Sequence, residues 1–194
     1  MLNKKNINKR VKSTKKYIDK LNDTYSKLNI IRVDLSYKKP HSDTITLEEA
    51  NRDLKHMLNN MRSKPTIFGD KVGYITKREY TEDKGIHFHT VIIYDGQKIQ
   101  RADYKAQQIG EYWEKITKEK GSYHNCHRNT YERNGIGILD HKDSDKRKIL
   151  DEDVLSYLCK DEQDIEPIKK NQKSRAFTRG TISNDKENIG RPRV

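Results

Sequence analysis

Two histidines, His87 and His89, lie two residues apart in an apolar stretch between Gly85 and Gly96. The stretch is rich in β-branched and aromatic residues and predicts a strand that is buried on both faces. Because side chains alternate along a strand, the two imidazoles share one face. Buried imidazoles need polar partners. A divalent metal held by both rings would satisfy them together, and backbone carbonyls are the alternative partners.

Glu79, on the preceding strand, completes this candidate site. Residues 72–80 predict a strand that a short polar hairpin connection joins to the histidine strand. If Tyr80 pairs with Ile86, the carboxylate lies opposite His87, with Cβ atoms about 5 Å apart on one face. Two imidazole nitrogens and one carboxylate oxygen, with coordination positions left open, suit Mg²⁺ or Mn²⁺, and the geometry does not exclude Zn²⁺.

A possible nucleophile lies on a later helix. Residues 151–160 begin with an acidic N-cap and an acidic first turn, and an apolar stripe follows. Tyr157 and Lys160 are three residues apart, so we expect them to share a helix face. The ammonium group would then favour a phenolate or hold a phosphate, whereas aromatic packing is the alternative role for Tyr157.

The elements that must position these residues follow a split β-α-β order. The sequence predicts a strand at 30–37, a helix at 46–63 that opens with a capping box, the two hairpin strands, a helix at 103–120 and a strand at 135–139. We therefore expect an α+β fold in which an antiparallel sheet carries helices on one face. These helices would cover the even-numbered side chains of the histidine strand and leave Glu79, His87 and His89 on an open face.

The distribution of charge indicates a phosphate-rich partner. The formal net charge is +12; residues 1–28 hold nine Lys or Arg and two acidic residues, and residues 166–194 hold eight and three. A neutral body with two basic ends is typical of salt-sensitive binding to nucleic acid, although a solvated charged face is the alternative. We divide the chain into a basic N-terminal arm with an amphipathic helix (1–28), a central domain (29–165) and a basic C-terminal tail (166–194).

Cysteine usage and hydropathy favour a cytoplasmic location. Cys126 and Cys159 are too few for a disulfide framework, which fits a reducing compartment. No apolar run has membrane-spanning length, and the N-terminus lacks the apolar region of a signal peptide. We therefore expect no membrane partner.

A further group of metal-binding residue types follows the second helix, at His124, Cys126 and His127. Zinc binding is one interpretation. However, the spacing is tight and no clear fourth ligand follows. A polar loop is the preferred interpretation of this segment.

The order of these motifs resembles that of the HUH endonucleases. His87-Phe88-His89 on a central strand, an acid one hairpin earlier and Tyr157-Leu158-Cys159-Lys160 on a later helix follow the order used by rolling-circle replication initiators. Relaxases of the same superfamily usually carry three metal histidines and an N-terminal tyrosine, which this order does not match.

A narrower resemblance covers residues 28–182. The stretches 78–80 and 85–89, the helix with Trp113 and the basic ending at 175–180 look like the replication initiators of inovirus-type filamentous phages and their integrated relatives. This resemblance implies a ferredoxin-like HUH nuclease fold. It also implies roles for the site residues: His87 and His89 as metal ligands, Tyr157 as nucleophile and Lys160 as the residue that orients the phosphate, whereas Glu79 as third ligand rests equally on the hairpin register.

The implied activity is metal-dependent nicking and joining of single-stranded or hairpin origin DNA. A 5′-phosphotyrosine forms and a 3′-OH is released, which starts rolling-circle replication with a host helicase and polymerase. The resemblance assigns the nucleophile role to one tyrosine, Tyr157, so termination requires a second subunit, as in a possible homodimer, or an activated water. The alternatives are a mobilisation relaxase, a single-strand transposase, or a non-catalytic DNA-binding regulator on the same fold.

Overall fold

The computed structural model describes residues 4–160, 165, 168 and 175–181. Its strands are β1 (Lys27–Tyr37), β2 (Lys71–Thr81), β3 (Gly85–Asp95), β4 (Gly121–Asn125), β5 (Gly137–Asp140) and β6 (Phe177–Arg179). Its helices are α1 (Lys4–Thr24), α2 (Leu47–Asn60), α3 (Pro65–Phe68), α4 (Ala102–Ile116), α5 (Ser144–Ile149) and α6 (Ser156–Cys159). A π-helical turn at Leu150–Leu155 connects α5 to α6.

All pairings within the sheet are antiparallel, and the strand order is β4-β1-β3-β2-β6, with β5 paired to β1. The histidine strand β3 lies between β1 and β2, and ten of its eleven residues are buried. The α+β fold with an antiparallel sheet is therefore confirmed, and so is the prediction of a strand buried on both faces.

One face of the sheet is covered by α2 and α4, as predicted. The capping box at the start of α2 is present: the Thr46 side chain accepts from the backbone N–H of Glu49, whose carboxylate accepts from the backbone of Thr46. In α4, the Trp113 indole donates to the Ser36 carbonyl on β1 at 2.8 Å. Both helices end earlier than predicted. The helix α4 ends at Ile116, and positive φ angles at Lys118 and Glu119 turn the chain into β4. The core on this face includes Val33, Leu35, Leu54, Met57, Ile86, Phe88, Ile92, Ile109 and Trp113.

Helices also cover the other face, so the predicted open face is wrong. There, α1 and the helical segment 144–159 form a second core with the odd-numbered residues of β3. The physical reason is that Val91 and Ile93 continue the same face beyond the histidines, and these apolar side chains must be buried too. His87 and His89 are consequently only 6% and 8% exposed.

The segment predicted as a polar loop is in part an edge strand. Residues 121–125 form β4 and pair with β1, from Tyr37 opposite Gly121 to Val33 opposite Asn125. A Cβ at Gly121 would lie 2.4 Å from the Thr117 hydroxyl, so the chain can leave α4 this closely only with glycine here. The sequence did not indicate this strand because it is short and polar, and its three central residues are not buried.

Both basic ends contribute to this core. Tyr17, Ile18 and Leu21 of α1 are buried against the sheet, and β6 adds to the edge of β2. The remainder of the predicted tail 166–194, apart from Ile168 and residues 175–181, lies outside the described residues. Within the part of the chain that the structure describes, no helix has the length and apolar character needed to span a bilayer.

Candidate metal centre

The hairpin between β2 and β3 sets the register of the candidate site. Tyr80 pairs with Ile86, and Glu79 therefore lies opposite His87, as predicted. Gly85 fixes the turn: its φ is +66°, and a Cβ there would lie 2.4 Å from the Ser42 carbonyl oxygen. Register matters here because a slip of one residue would move the carboxylate to the opposite face of the sheet.

The three predicted ligands converge. Glu79 Oε2 lies 3.0 Å from His89 Nε2 and 3.4 Å from His87 Nε2. Each residue offers a donor atom within 4.8 Å of the others, and all three residues are buried. This buried Glu-His-His cluster can bind a metal ion, and no other group of three His, Cys, Asp or Glu residues within the described ranges converges in the same way.

The second nitrogen of each ring has a fixed acceptor. His87 Nδ1 lies 3.1 Å from the Gly85 carbonyl oxygen, and His89 Nδ1 lies 2.9 Å from Asp34 Oδ1. With the proton on Nδ1, the lone pair of each Nε2 faces the shared Glu79 oxygen. Carboxylate and carbonyl acceptors of this kind orient histidine ligands in metal sites, so the donor set fits a divalent cation.

Asp34 is a site residue that sequence reasoning missed, since no role was assigned on the first strand. It pairs with His89 across β1 and β3. The available signal was a carboxylate between two apolar residues, Val33 and Leu35, of a predicted strand. Burial raises the pKa of Asp34, but hydrogen bonds with His89 and the nearby Arg32 guanidinium outweigh this and lower it overall. The carboxylate therefore stays ionised beside the imidazole.

The carboxylate of Glu79 is shared between the histidines and a buried lysine. Lys77 Nζ forms an ion pair with Glu79 Oε1, and both residues are 1% exposed. Burial raises the pKa of Glu79, but hydrogen bonds with His87, His89 and Lys77 outweigh it and hold this pKa well below its usual range. Because Lys77 occupies one carboxylate oxygen, the other is the atom that faces the two imidazoles.

The two carboxylates also act on His89. Burial lowers the pKa of this imidazole, but hydrogen bonds with Asp34 and Glu79 raise it by more. Without a metal, His89 thus holds a second proton more tightly than a free histidine does. The same negative charges favour a metal cation in place of that proton.

Tyr157 contacts the cluster from the helical layer that covers this face of the sheet. Its hydroxyl lies 3.1 Å from His89 Nε2, and the two ring centroids are 5.2 Å apart. The π-helical turn at Leu150–Leu155 immediately precedes the short helix that carries this residue. Such turns widen a helix locally and change the direction of the side chains that follow, and they occur frequently at functional sites.

Two cations lie over the Tyr157 ring, and neither is the predicted one. Arg32 Cζ is 5.3 Å and Lys77 Nζ is 5.4 Å from the ring centroid. Burial and the negative charge of Glu79 raise the pKa of Tyr157 to about 12, and the Arg32 charge acts in the opposite direction. A phenol in this environment stays protonated unless additional positive charge is brought to it.

Lys160 caps the C-terminus of the helix that carries Tyr157, and its backbone N–H donates to the Tyr157 carbonyl at 3.1 Å. The helix ends at Cys159, and Lys160 has an extended backbone conformation, with φ −67° and ψ 158°, and an exposed side chain. The structure thus brings Glu79, His87, His89 and Tyr157 together and leaves Lys160 just outside. The cations that the structure places over the phenol ring are therefore Arg32 and Lys77, whereas the Lys160 side chain is exposed.

The side chains of His124, Cys126 and His127 point to different partners. His124 Nε2 lies 3.0 Å from Asn129 Oδ1, whereas His127 Nε2 accepts from the backbone N–H of Arg32 at 3.3 Å. Cys126 is buried, and burial raises the pKa of its thiol to about 12. A protonated thiol is a poor zinc ligand, and these three residues are not among the converging donors of the described chain.

Comparison with known protein families identifies the family of this chain. The family model described as the YagK/YfjJ C-terminal domain matches residues 1–180, which include every helix and strand described above and the whole candidate site. Searches of curated proteins and of solved structures give no significant match. Because the matched region covers most of the chain, the protein belongs to the YagK/YfjJ C-terminal domain family.

Proposed function

We propose that this protein is a metal-dependent DNA strand transferase that nicks single-stranded DNA through a tyrosine nucleophile. The observation that carries the proposal is the 3.1 Å distance between the Tyr157 hydroxyl and His89 Nε2, across 68 positions of sequence. Local structure does not require this contact. A buried donor set beside a tyrosine and two cations matches the needs of phosphoryl transfer, in which charge develops on the phosphate oxygens.

Glu79, His87 and His89 would hold the cation, and Mg²⁺ or Mn²⁺ is the proposed species. Mixed nitrogen and oxygen donors with open coordination positions are compatible with both ions. When bound, the cation would supply positive charge beside the scissile phosphate. Asp34 and the Gly85 carbonyl hold the two rings in the orientation that this binding requires.

In the proposed step, the phenolic oxygen of Tyr157 attacks the phosphorus of a phosphodiester in line with the leaving oxygen. A bond forms between the phenolic oxygen and phosphorus, and the bond from phosphorus to the 3′ oxygen breaks. The phenol gives up one proton and the 3′ oxygen gains one, so the exchange needs no co-reactant. The products are a 5′-phosphotyrosine and a free 3′-OH, and the reverse reaction rejoins a strand.

Arg32 and Lys77 take the charge-stabilising role that the sequence assigned to Lys160. Their cations lie over the phenol ring and favour negative charge on its oxygen. Lys160, exposed one residue beyond the helix, remains available to a phosphate that flanks the scissile one. This arrangement divides the two roles among separate cations.

We further propose that the substrate is a replication origin and that the nick starts rolling-circle replication of a mobile element. The order of the His-Phe-His motif and the later tyrosine supports this role over that of a relaxase. The released 3′-OH would prime a host polymerase. Strand opening would need a host helicase, because the sequence holds no nucleotide-binding Walker motif.

The test is the intact mass of the protein after incubation with Mn²⁺ and single-stranded DNA from the region around its own gene. We expect a mass increase equal to an oligonucleotide fragment, and we expect a polymerase to extend the other fragment from its 3′-OH. Tyr157→Phe and chelator should each abolish the adduct. Tyr131→Phe, which removes a hydroxyl elsewhere on the same face, should retain it. Tight DNA binding without an adduct, for every DNA fragment tested from this region, would favour a non-catalytic regulator.

A further inference from the structure

A basic cavity of about 770 Å³ lies between α1 and the edge strand β6. None of the described residues that line it is acidic, although the chain holds 29 Asp and Glu residues. We call this cavity the basic groove. Six cationic side chains line it: Lys9, Arg10, Lys16, Lys20, Arg175 and Arg179.

The two arginines nearest the core are held in place by aromatic rings. Arg10 Cζ lies 5.4 Å from the centroid of the Phe177 ring, and Arg179 Cζ lies 5.5 Å from that of Tyr17. Arg179 also donates to the backbone carbonyl of Ser13. Guanidinium groups fixed in this way lose little conformational entropy when they bind a phosphate. The groove is therefore organised before any ligand arrives.

The basic groove adjoins the Tyr157 site through both of its walls. On one side, Arg10 Nη1 donates to the carbonyl of Cys159, the last residue of the helix that carries Tyr157, at 3.3 Å. On the other side, Phe177 of β6 pairs with Lys77 of β2. A DNA strand bound at Tyr157 would thus continue directly into the groove.

We propose that the basic groove binds the phosphate backbone of single-stranded DNA next to the scissile phosphate. This inference rests on the proposed function. From Lys9 to Lys20 the groove follows about 16 Å of α1, which is the length of several phosphates and longer than a single small anion requires. The guanidinium planes in its walls also suit unpaired bases, which stack on such groups.

The test measures equilibrium binding of a fluorescent single-stranded oligonucleotide at several salt concentrations. All proteins carry Tyr157→Phe and all samples contain chelator, so no chemistry occurs. The groove variant combines Lys9→Gln, Lys16→Gln and Lys20→Gln. The matched control combines Lys55→Gln, Lys64→Gln and Lys115→Gln, which remove the same charge from exposed positions outside the groove.

We expect the groove variant to bind about 100-fold more weakly at about 0.1 M salt, and the slope of log affinity against log salt to fall by about 2. The control should change both values far less. Equal losses in the two variants would overturn the inference, since they would indicate general attraction to a basic protein. Equal binding of a duplex with the same dependence on the three lysines would overturn the assignment to single strands.

The two proposals can fail separately. A phosphotyrosine adduct with no groove-specific loss of affinity would overturn the basic groove and retain the nicking activity. Groove-specific binding with no adduct in the protein that retains Tyr157 would overturn the nicking activity and leave the groove as a DNA-binding surface. Far-UV circular dichroism of each triple variant should match that of the parent, because the substituted lysines are exposed.

Discussion

Two groups of metal-binding residue types lie on either side of β1. The first, Glu79 with His87 and His89, is on β2 and β3; the second, His124 with Cys126 and His127, is on β4 and the turn that follows. In the first group, the donor atoms lie within 4.8 Å of one another. In the second, each side chain turns to a separate partner.

The difference between the two groups lies in the backbone that carries them. In the hairpin, neighbouring strands hold the carboxylate and one imidazole directly opposite each other, and the second imidazole lies two residues along the same face. In the other group, the chain leaves β4 at Asn125 and turns, so successive side chains diverge. Asp34 shows the contrast directly: it pairs with both His89 and His124 in the sheet, and the Asp34 carboxylate lies 2.9 Å from His89 Nδ1, whereas His124 bonds to Asn129.

The largest expected effect separates the two groups by metal affinity. His89→Ala removes a ligand at the centre of the first group and should weaken Mn²⁺ binding more than about 100-fold, beyond the loss typical of an outer partner. His124→Ala, the matched change in the second group, should leave the affinity unchanged. Isothermal titration calorimetry measures both. Equal affinity in the two variants would show that the metal binds elsewhere.

A smaller effect is expected when an outer partner of the first group is altered. Asp34→Asn replaces the carboxylate that accepts from His89 Nδ1 and should weaken Mn²⁺ binding about 10- to 100-fold. Asp140→Asn, an acid on β5 at the edge of the sheet, serves as control and should have no effect. If Asp34→Asn leaves the affinity unchanged, Asp34 does not orient the ligand.

The smallest effect concerns the second group and the pH dependence of stability. Burial lowers the pKa of His127 to about 4 from its ordinary value of 6.5. The unfolded chain therefore takes up this proton at a higher pH than the folded chain does, and the free energy of unfolding falls as pH drops from 6.5 towards 4. Urea unfolding with chelator present should show a smaller loss over this range for His127→Gln than for wild type. His124→Gln should retain the wild-type loss; an identical profile for His127→Gln would contradict the role of burial.

Sequence patterns predicted the first group because its geometry is local. A three-residue hairpin connection and the strict alternation of side chains along both strands fix the positions of Glu79 and His87 relative to each other. The cap of α2 was predicted for the same reason, since Thr46 and Glu49 bond to each other within one turn.

What could not be predicted depends on contacts between distant segments. The approach of Arg32 and Lys77 to the Tyr157 ring requires the packing of three elements, and no spacing in the sequence encodes it. The covered odd-numbered face was missed because the basic amphipathic pattern of residues 1–28 allows that helix either to cover the core or to lie on DNA. The end of α6 at Cys159 was missed because boundaries are set by tertiary contacts as well as by local preference.

The central claim is that Tyr157 is the nucleophile of a metal-dependent site, and the most direct test is the identity of the residue that carries DNA. Wild-type protein is incubated with single-stranded DNA and Mn²⁺, digested with nuclease and protease, and analysed by tandem mass spectrometry. The account predicts a nucleotide remnant on Tyr157 that is absent with chelator. A remnant on another residue, such as Tyr123 or Tyr131, or one that forms equally with chelator, would contradict it.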